Sequence, residues 1–175
     1  MTPTGYVHLY TGNGKGKTTA ALGLALRMAG SGRHSLIIQF MKGRPYSELE
    51  AVKRLNGLIR IEQYGSPDFC VPEAGNLAVH REFARRGLAR AREAVADSSL
   101  ALVVLDEIVT AVHFTLLAPD DVSGLIAGKH PAMELVLTGR YATPDLIEQC
   151  DLVTEMKEIR HYYQAGVEAR KGIEF

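Results

Sequence analysis

Eight residues near the amino terminus, Thr11-Gly12-Asn13-Gly14-Lys15-Gly16-Lys17-Thr18, restrict the fold more than anything else in the chain. They follow the apolar run Val7 to Tyr10 and open the helical stretch Thr19 to Ala29, so a glycine-rich loop joins a strand to a helix. In that context glycines let backbone N–H groups converge on phosphate oxygens. Lys17 supplies mobile positive charge, the Thr18 hydroxyl can ligate magnesium, and the helix start favours an anion. The loop is a variant, because Thr11 stands where the strict pattern has its first glycine and the glycines fall at Gly12 and Gly14. Lys15 reads either as a second phosphate contact or as a solvated loop lysine.

The rest of the chain alternates in period. Short apolar runs at Val7 to Tyr10, Ser35 to Phe40, Ile59 to Tyr64, Leu100 to Leu105, Glu134 to Leu137 and Leu152 to Met156 read as strands. Helical patterns lie between them at Lys17 to Ala29, Ser47 to Leu55, Leu77 to Ala96, Pro119 to Ala127 and Pro144 to Cys150. That order predicts an α/β fold, a mostly parallel sheet with helices on both faces, forming a single domain over residues 1–175. Near-continuous apolar runs such as Leu100 to Leu105 suit central strands buried on both faces, and ligands in such sheets bind at strand carboxyl ends. The least regular segment, Tyr64 to Gly75, is the candidate functional loop.

One of those runs ends in two carboxylates, Asp106 and Glu107. Magnesium keeps several waters, so one carboxylate with Thr18 and phosphate oxygens suffices for it. If the chain were still extended there, the two side chains would point in opposite directions and could not share a role. No Gly-x-Ser-x-Gly elbow, His-Glu-x-x-His or obvious Cys-His nucleophile pair is found; if the substrate itself is the nucleophile, none is needed and catalysis reduces to positioning and to stabilising a polyanionic leaving group.

Charge balances at 20 Lys+Arg against 20 Asp+Glu without a basic, aromatic-interleaved stretch, which argues against a nucleic-acid partner. The absence of a long apolar run or a leader-like start argues against a membrane span or signal peptide. Cys70 and Cys150 sit in no metal or disulfide spacing. A cytoplasmic location is the expectation.

These motifs, taken with Gln39-Phe40-Met41-Lys42-Gly43, Thr138-Gly139-Arg140, Asp151 to Met156, His161 to Val167 and the ending Gly172-Ile173-Glu174-Phe175, resemble the P-loop-type ATP:corrinoid adenosyltransferases over nearly the whole chain. The resemblance implies a recombinase-type ATPase core and a homodimer. It implies transfer of the 5′-deoxyadenosyl group of ATP to Co(I) of a corrinoid with release of triphosphate, and a nucleotide held in reverse relative to ordinary P-loop NTPases. Gly12, Asn13, Gly14, Lys15, Gly16, Lys17 and Thr18 would hold the triphosphate, Arg27 and Arg140 would also contact ATP, and Thr18 with Glu107 would serve Mg2+, Asp106 being the less favoured ligand. Lys17, Thr18 and Glu107 are thereby the catalytic candidates. An electron-donating reductant protein is a further expected partner.

Two departures from the family stand out. Its Phe-x-Trp segment, thought to displace the lower axial ligand of the corrinoid, is here Asp68-Phe69-Cys70-Val71, which leaves Phe69 as the corrinoid candidate. About five residues precede the first strand, whereas some members carry an arm over the site. Arg81, Arg85, Arg86, Arg90 and Arg92 read as a solvated helix face or as the phosphate lid of a small-molecule kinase or NTPase. A non-catalytic module that binds ATP or corrinoid is the third reading. His8 is expected to be structural, and His161 either approaches the corrinoid or packs the C-terminus.

Overall fold

Six strands, Val7–Thr11 (β1), Ser35–Phe40 (β2), Ile59–Tyr64 (β3), Leu102–Asp106 (β4), Glu134–Thr138 (β5) and Leu152–Glu155 (β6), form one sheet in the order β3-β2-β4-β5-β1-β6. Every pairing is parallel, so the mostly parallel sheet expected from the sequence is wholly so. The computed structural model describes residues 4–68, 70 and 75–175. Phe69 and Val71 lie outside the described residues.

Helix α1 (Lys17–Gly30) covers one face of the sheet, packing Ala21, Ala25 and Met28 on Ile37, Leu102, Val104 and Val136. The opposite face carries α3 (Leu77–Ala96), α4 (Ile108–His113) and α5 (Pro119–Ala127) over Leu36, Ile38, Val103, Leu105, Leu135 and Leu137. The remaining α-helices among the described residues are α2 (Ser47–Val52) and α6 (Pro144–Glu148). Buried on both sides, β2 and β4 have no exposed residue, which is why their sequences run apolar without alternation. No helix among the described residues is long and apolar enough to cross a membrane.

Helix α4 was not legible in the sequence. Its six residues are too few for a helical period, and they continue the apolar run of β4. A turn at Glu107, with φ 63 and ψ 14, separates the two elements.

Candidate active site

The period-2 alternation of the central strands places polar residues at the end of the sheet where the glycine loop lies. Ile37, Val104 and Val136 face α1, and two residues further along the same face come Gln39, Asp106 and Thr138. Gln39 pairs with Asp106 across β2 and β4, and the β4–β5 register that pairs Leu105 with Leu137 sets Asp106 beside Thr138. The apolar layer under α1 therefore ends in a polar floor beneath Thr18.

Asp106 is fully buried at the centre of that floor. Its Oδ1 accepts from Thr18 Oγ1 at 2.8 Å and from Thr138 Oγ1 at 2.7 Å. Its Oδ2 accepts from Lys42 Nζ at 2.8 Å and from Gln39 Nε2 at 3.3 Å. Four donors saturate the carboxylate, which is how a buried charge is tolerated. Burial by itself would lower the Lys42 ammonium, but the Asp106 charge and hydrogen bond outweigh it and raise Lys42 above the ordinary lysine range.

Glu107 is turned away from this corner. Its left-handed backbone ends β4, its N–H donates to Thr138 Oγ1 at 2.9 Å, and its Oε2 accepts from Thr110 Oγ1 at 2.6 Å. The carboxylate bonded to Thr18 is thus Asp106, whereas Glu107 lines the open pocket. The opposite orientation of the two side chains, expected for an extended pair, arises here from the break in the strand.

That pocket is a cavity of about 470 Å³ walled by the glycine loop from Gly14 to Thr19, by Lys42, Glu107, Arg140 and His161, and by the C-terminal residues 172–175. Lys17 is buried and its ammonium donates to Gly12 O at 2.7 Å and Gly14 O at 2.8 Å. Burial pushes Lys17 below the ordinary lysine range, Glu107 and Asp106 opposing the shift and Arg140 adding to it. Gly14 approaches β6 so closely that a Cβ would sit 2.6 Å from Met156 O, the same oxygen that accepts the Gly14 N–H at 2.6 Å. Glycine at this position thus docks the loop onto the end of β6.

Lys15 leaves the loop toward the chain's end. Its ammonium donates to Ile173 O and to Glu174 Oε1, both at 2.7 Å, and Tyr162 donates to the same Glu174 oxygen. The other Glu174 oxygen accepts from Arg170 N at 2.8 Å and Arg170 Nε at 3.4 Å. The Lys15 and Tyr162 hydrogen bonds hold the Glu174 carboxyl far below the usual carboxylate range. Nothing in the sequence pattern signals this strap, which forms only because the tail folds back across the pocket mouth.

Asn13 is exposed at the loop tip, and Arg27 is exposed in the last turn of α1. Ten residues beyond Lys17, Arg27 lies about 15 Å along the helix axis and does not line the cavity. None of the five α3 arginines lines it either. Arg90 pairs with Glu62 at 3.0 Å, Arg92 with Asp121 at 2.9 Å, and Arg81 donates to Thr115 O at 3.2 Å. His8 bonds Glu134 Oε2 at 2.9 Å inside the sheet. Both cysteines are free, and burial, with Asp151 adding, pushes the Cys150 thiol up to about 11.

A parallel sheet whose first strand feeds a glycine loop and helix, with a buried aspartate on the loop threonine, defines a P-loop nucleotide-binding protein. The fold is similar to that of the RadB recombinase crystal structure, at TM-score 0.57 and 15% identity over 91% of this chain and 77% of that one. At that identity the likeness speaks to the fold alone. The family model for ATP:corrinoid adenosyltransferase BtuR/CobO/CobP matches residues 3–175. Corrinoid adenosyltransferases of a Sinorhizobium species and of Escherichia coli K12 are 34% and 32% identical over 98% of this chain, covering 80% and 86% of their own lengths. That of Salmonella typhimurium is 30% identical with the same coverage as the E. coli protein. The chain belongs to the ATP:corrinoid adenosyltransferase family.

Proposed function

We propose that this chain, as one domain over residues 1–175, transfers the 5′-deoxyadenosyl group of ATP to the Co(I) of a corrinoid and releases inorganic triphosphate. The observation that carries the reading is the cavity in which Lys17, Thr18 and Arg140 converge at the carboxyl ends of the strands. Co(I) is itself the nucleophile, so its electron pair forms the cobalt–carbon bond while the 5′ carbon–oxygen bond breaks toward the triphosphate. The protein need not activate a nucleophile. Its work is to align the two substrates and to stabilise charge growing on the leaving group, through the ammonium of Lys17, the guanidinium of Arg140 and the amides at the start of α1.

The donor set suits Mg2+. The described residues hold no cluster of three His, Cys, Asp or Glu side chains that could bind a metal, so this is no all-protein cage. Magnesium, by preference, takes one or two protein oxygens and completes its shell with phosphate and water. Thr18 and Glu107 would hold it: Asp106 has no acceptor capacity left, while among the described residues only Oε2 of Glu107 takes a donor. Bound there, the ion would neutralise triphosphate charge. Asp106 then orients the Thr18 hydroxyl by taking its proton in a hydrogen bond, which leaves the hydroxyl oxygen to accept. Gly12, Asn13, Gly14, Lys15 and Gly16 would hold the triphosphate together with Lys17 and Thr18, and Arg27 would contact the nucleotide outside this cavity.

Phe69 is the proposed apolar wedge on the corrinoid, and a reductant protein would supply the electron that takes Co(II) to Co(I). Phe69→Ala should slow adenosylation from Co(II) with a reductant far more than from preformed Co(I), and equal losses would mean general loop damage. Homodimer formation draws support from edge strand β6, where Leu152 and Val153 are 43% and 41% exposed. A cytoplasmic location fits the free cysteines.

The test mixes protein, magnesium-ATP and chemically reduced corrinoid, and follows both the visible absorbance of the cobalt–carbon bond and the phosphate products. Triphosphate with alkylated corrinoid is the expected result. ADP or orthophosphate would mean phosphoryl transfer, which the tethering of Arg81, Arg90 and Arg92 away from the cavity already disfavours.

A further inference from the structure

Lys42 belongs to neither the glycine loop nor the acid pair, yet its ammonium sits where they meet. It lies 2.8 Å from Asp106 Oδ2 and donates to Thr18 Oγ1 at 3.2 Å. The side chain is 14% exposed, and its ammonium stands 5.2 Å from the centre of the Tyr46 ring. The backbone aims it there. Met41 turns the chain at φ 58 directly after β2, and Gly65 lets the end of β3 pack so closely that a Cβ would lie 2.3 Å from Lys42 N. Such an arrangement gives the lysine a fixed origin and a short reach to the corner.

We infer that Lys42 is a positioning residue that fills the cation corner of the nucleotide-free protein, so that a divalent cation enters only together with a triphosphate. The inference rests on the assignment of Thr18 to the metal. A cation bound by Thr18 would share the hydroxyl oxygen that now accepts from Lys42, and it would meet the lysine's own positive charge within a few ångströms. One ammonium and one dication cannot share the corner. The triphosphate resolves the conflict because its oxygens offer Lys42 a new anionic partner in the same cavity, which Lys42 also lines. Until then Lys42 keeps the buried Asp106 charge paired and the Thr18 hydroxyl aligned, which holds the loop in its binding geometry.

Mn2+, read by its electron paramagnetic resonance signal, serves as the probe in place of magnesium. Wild-type protein without nucleotide should leave Mn2+ free, and with ATP present it should give a protein-bound Mn2+ signal distinct from that of Mn2+-ATP in protein-free buffer. Lys42→Gln, which keeps a hydrogen-bond donor for Asp106 but removes the charge, should bind Mn2+ without nucleotide at least about tenfold more tightly than wild type. Lys42→Arg, which keeps the charge, should behave as wild type. Equal Mn2+ affinity of folded Lys42→Gln and wild type without nucleotide would overturn the inference. So would a tight Mn2+ site in nucleotide-free wild type, a measurement that needs no variant to fold. Failure of wild type to bind Mn2+ even with ATP would instead remove the metal assignment itself.

Discussion

Two lysines two residues apart in the same loop meet opposite surroundings. Lys17 is buried over the loop carbonyls beside a floor built from strand ends, whereas Lys15 reaches outward to Glu174 on the C-terminal tail. The floor is rigid because β2, β4 and β5 fix its side chains and Asp106 is fully saturated. The rim consists of contacts at the surface, where ion pairs contribute little and exchange readily with water. The charge proposed to face the phosphates is thus held by the loop over a floor built from strand ends, and the charge at the mouth by the C-terminal tail.

The strongest test of this contrast removes the centre of the floor. Asp106→Ala leaves the Lys42 charge buried without its partner, a change that typically costs about 3–5 kcal/mol. For a chain of this size that corresponds to a melting temperature lowered by roughly 6–20 °C. A thermal melt within a degree or two of wild type would show that the floor is not the rigid element described here.

Next in size is Lys17→Ala. Loss of one positioned charge on a developing anion commonly costs about 2.7–4 kcal/mol, a hundredfold to a thousandfold in kcat. Because Lys17 bonds only loop carbonyls among the described residues, the melting temperature of Lys17→Ala should move far less than that of Asp106→Ala. Near-normal turnover of the folded variant would remove Lys17 from the mechanism.

Glu107→Gln should come third. A neutral amide is a poorer ligand for a hard cation, so half-maximal activity should need roughly tenfold more magnesium, with corrinoid affinity unchanged. Should Asp106→Asn show that shift and Glu107→Gln not, the two carboxylates exchange roles.

The rim should give the smallest effect. Glu174→Gln frees Lys15 for phosphate and should tighten ATP binding by less than about fivefold. Its pH dependence has a defined sign. A carboxyl held below its unfolded value stabilises the folded state above the ordinary glutamate range of about 4.3 and loses that contribution as pH falls through the folded value. The melting temperatures of wild type and Glu174→Gln should therefore differ slightly at neutral pH and converge in acid. A difference that grows as the solution is acidified would contradict the strap.

Much of this molecule was legible before any coordinates. The six strands fall close to where the apolar runs predict, and the clearest of them, β2 and β4, are buried on both faces and so must be apolar on both. The glycine loop announces a phosphate site through local geometry alone. Even the polar floor follows in part from the sequence, since counting by twos from Ile37, Val104 and Val136 reaches Gln39, Asp106 and Thr138. The sequence alone does not decide where β4 stops, so it shows neither α4 nor the left-handed turn at Glu107. Nor could it reveal that Lys42 closes the Thr18–Asp106 corner or that Glu174 reaches Lys15 from the far end of the chain. The physical reason is range: periodicity and loop chemistry act between near neighbours, whereas strand order and the folding back of the tail bring together residues with no local pattern in common.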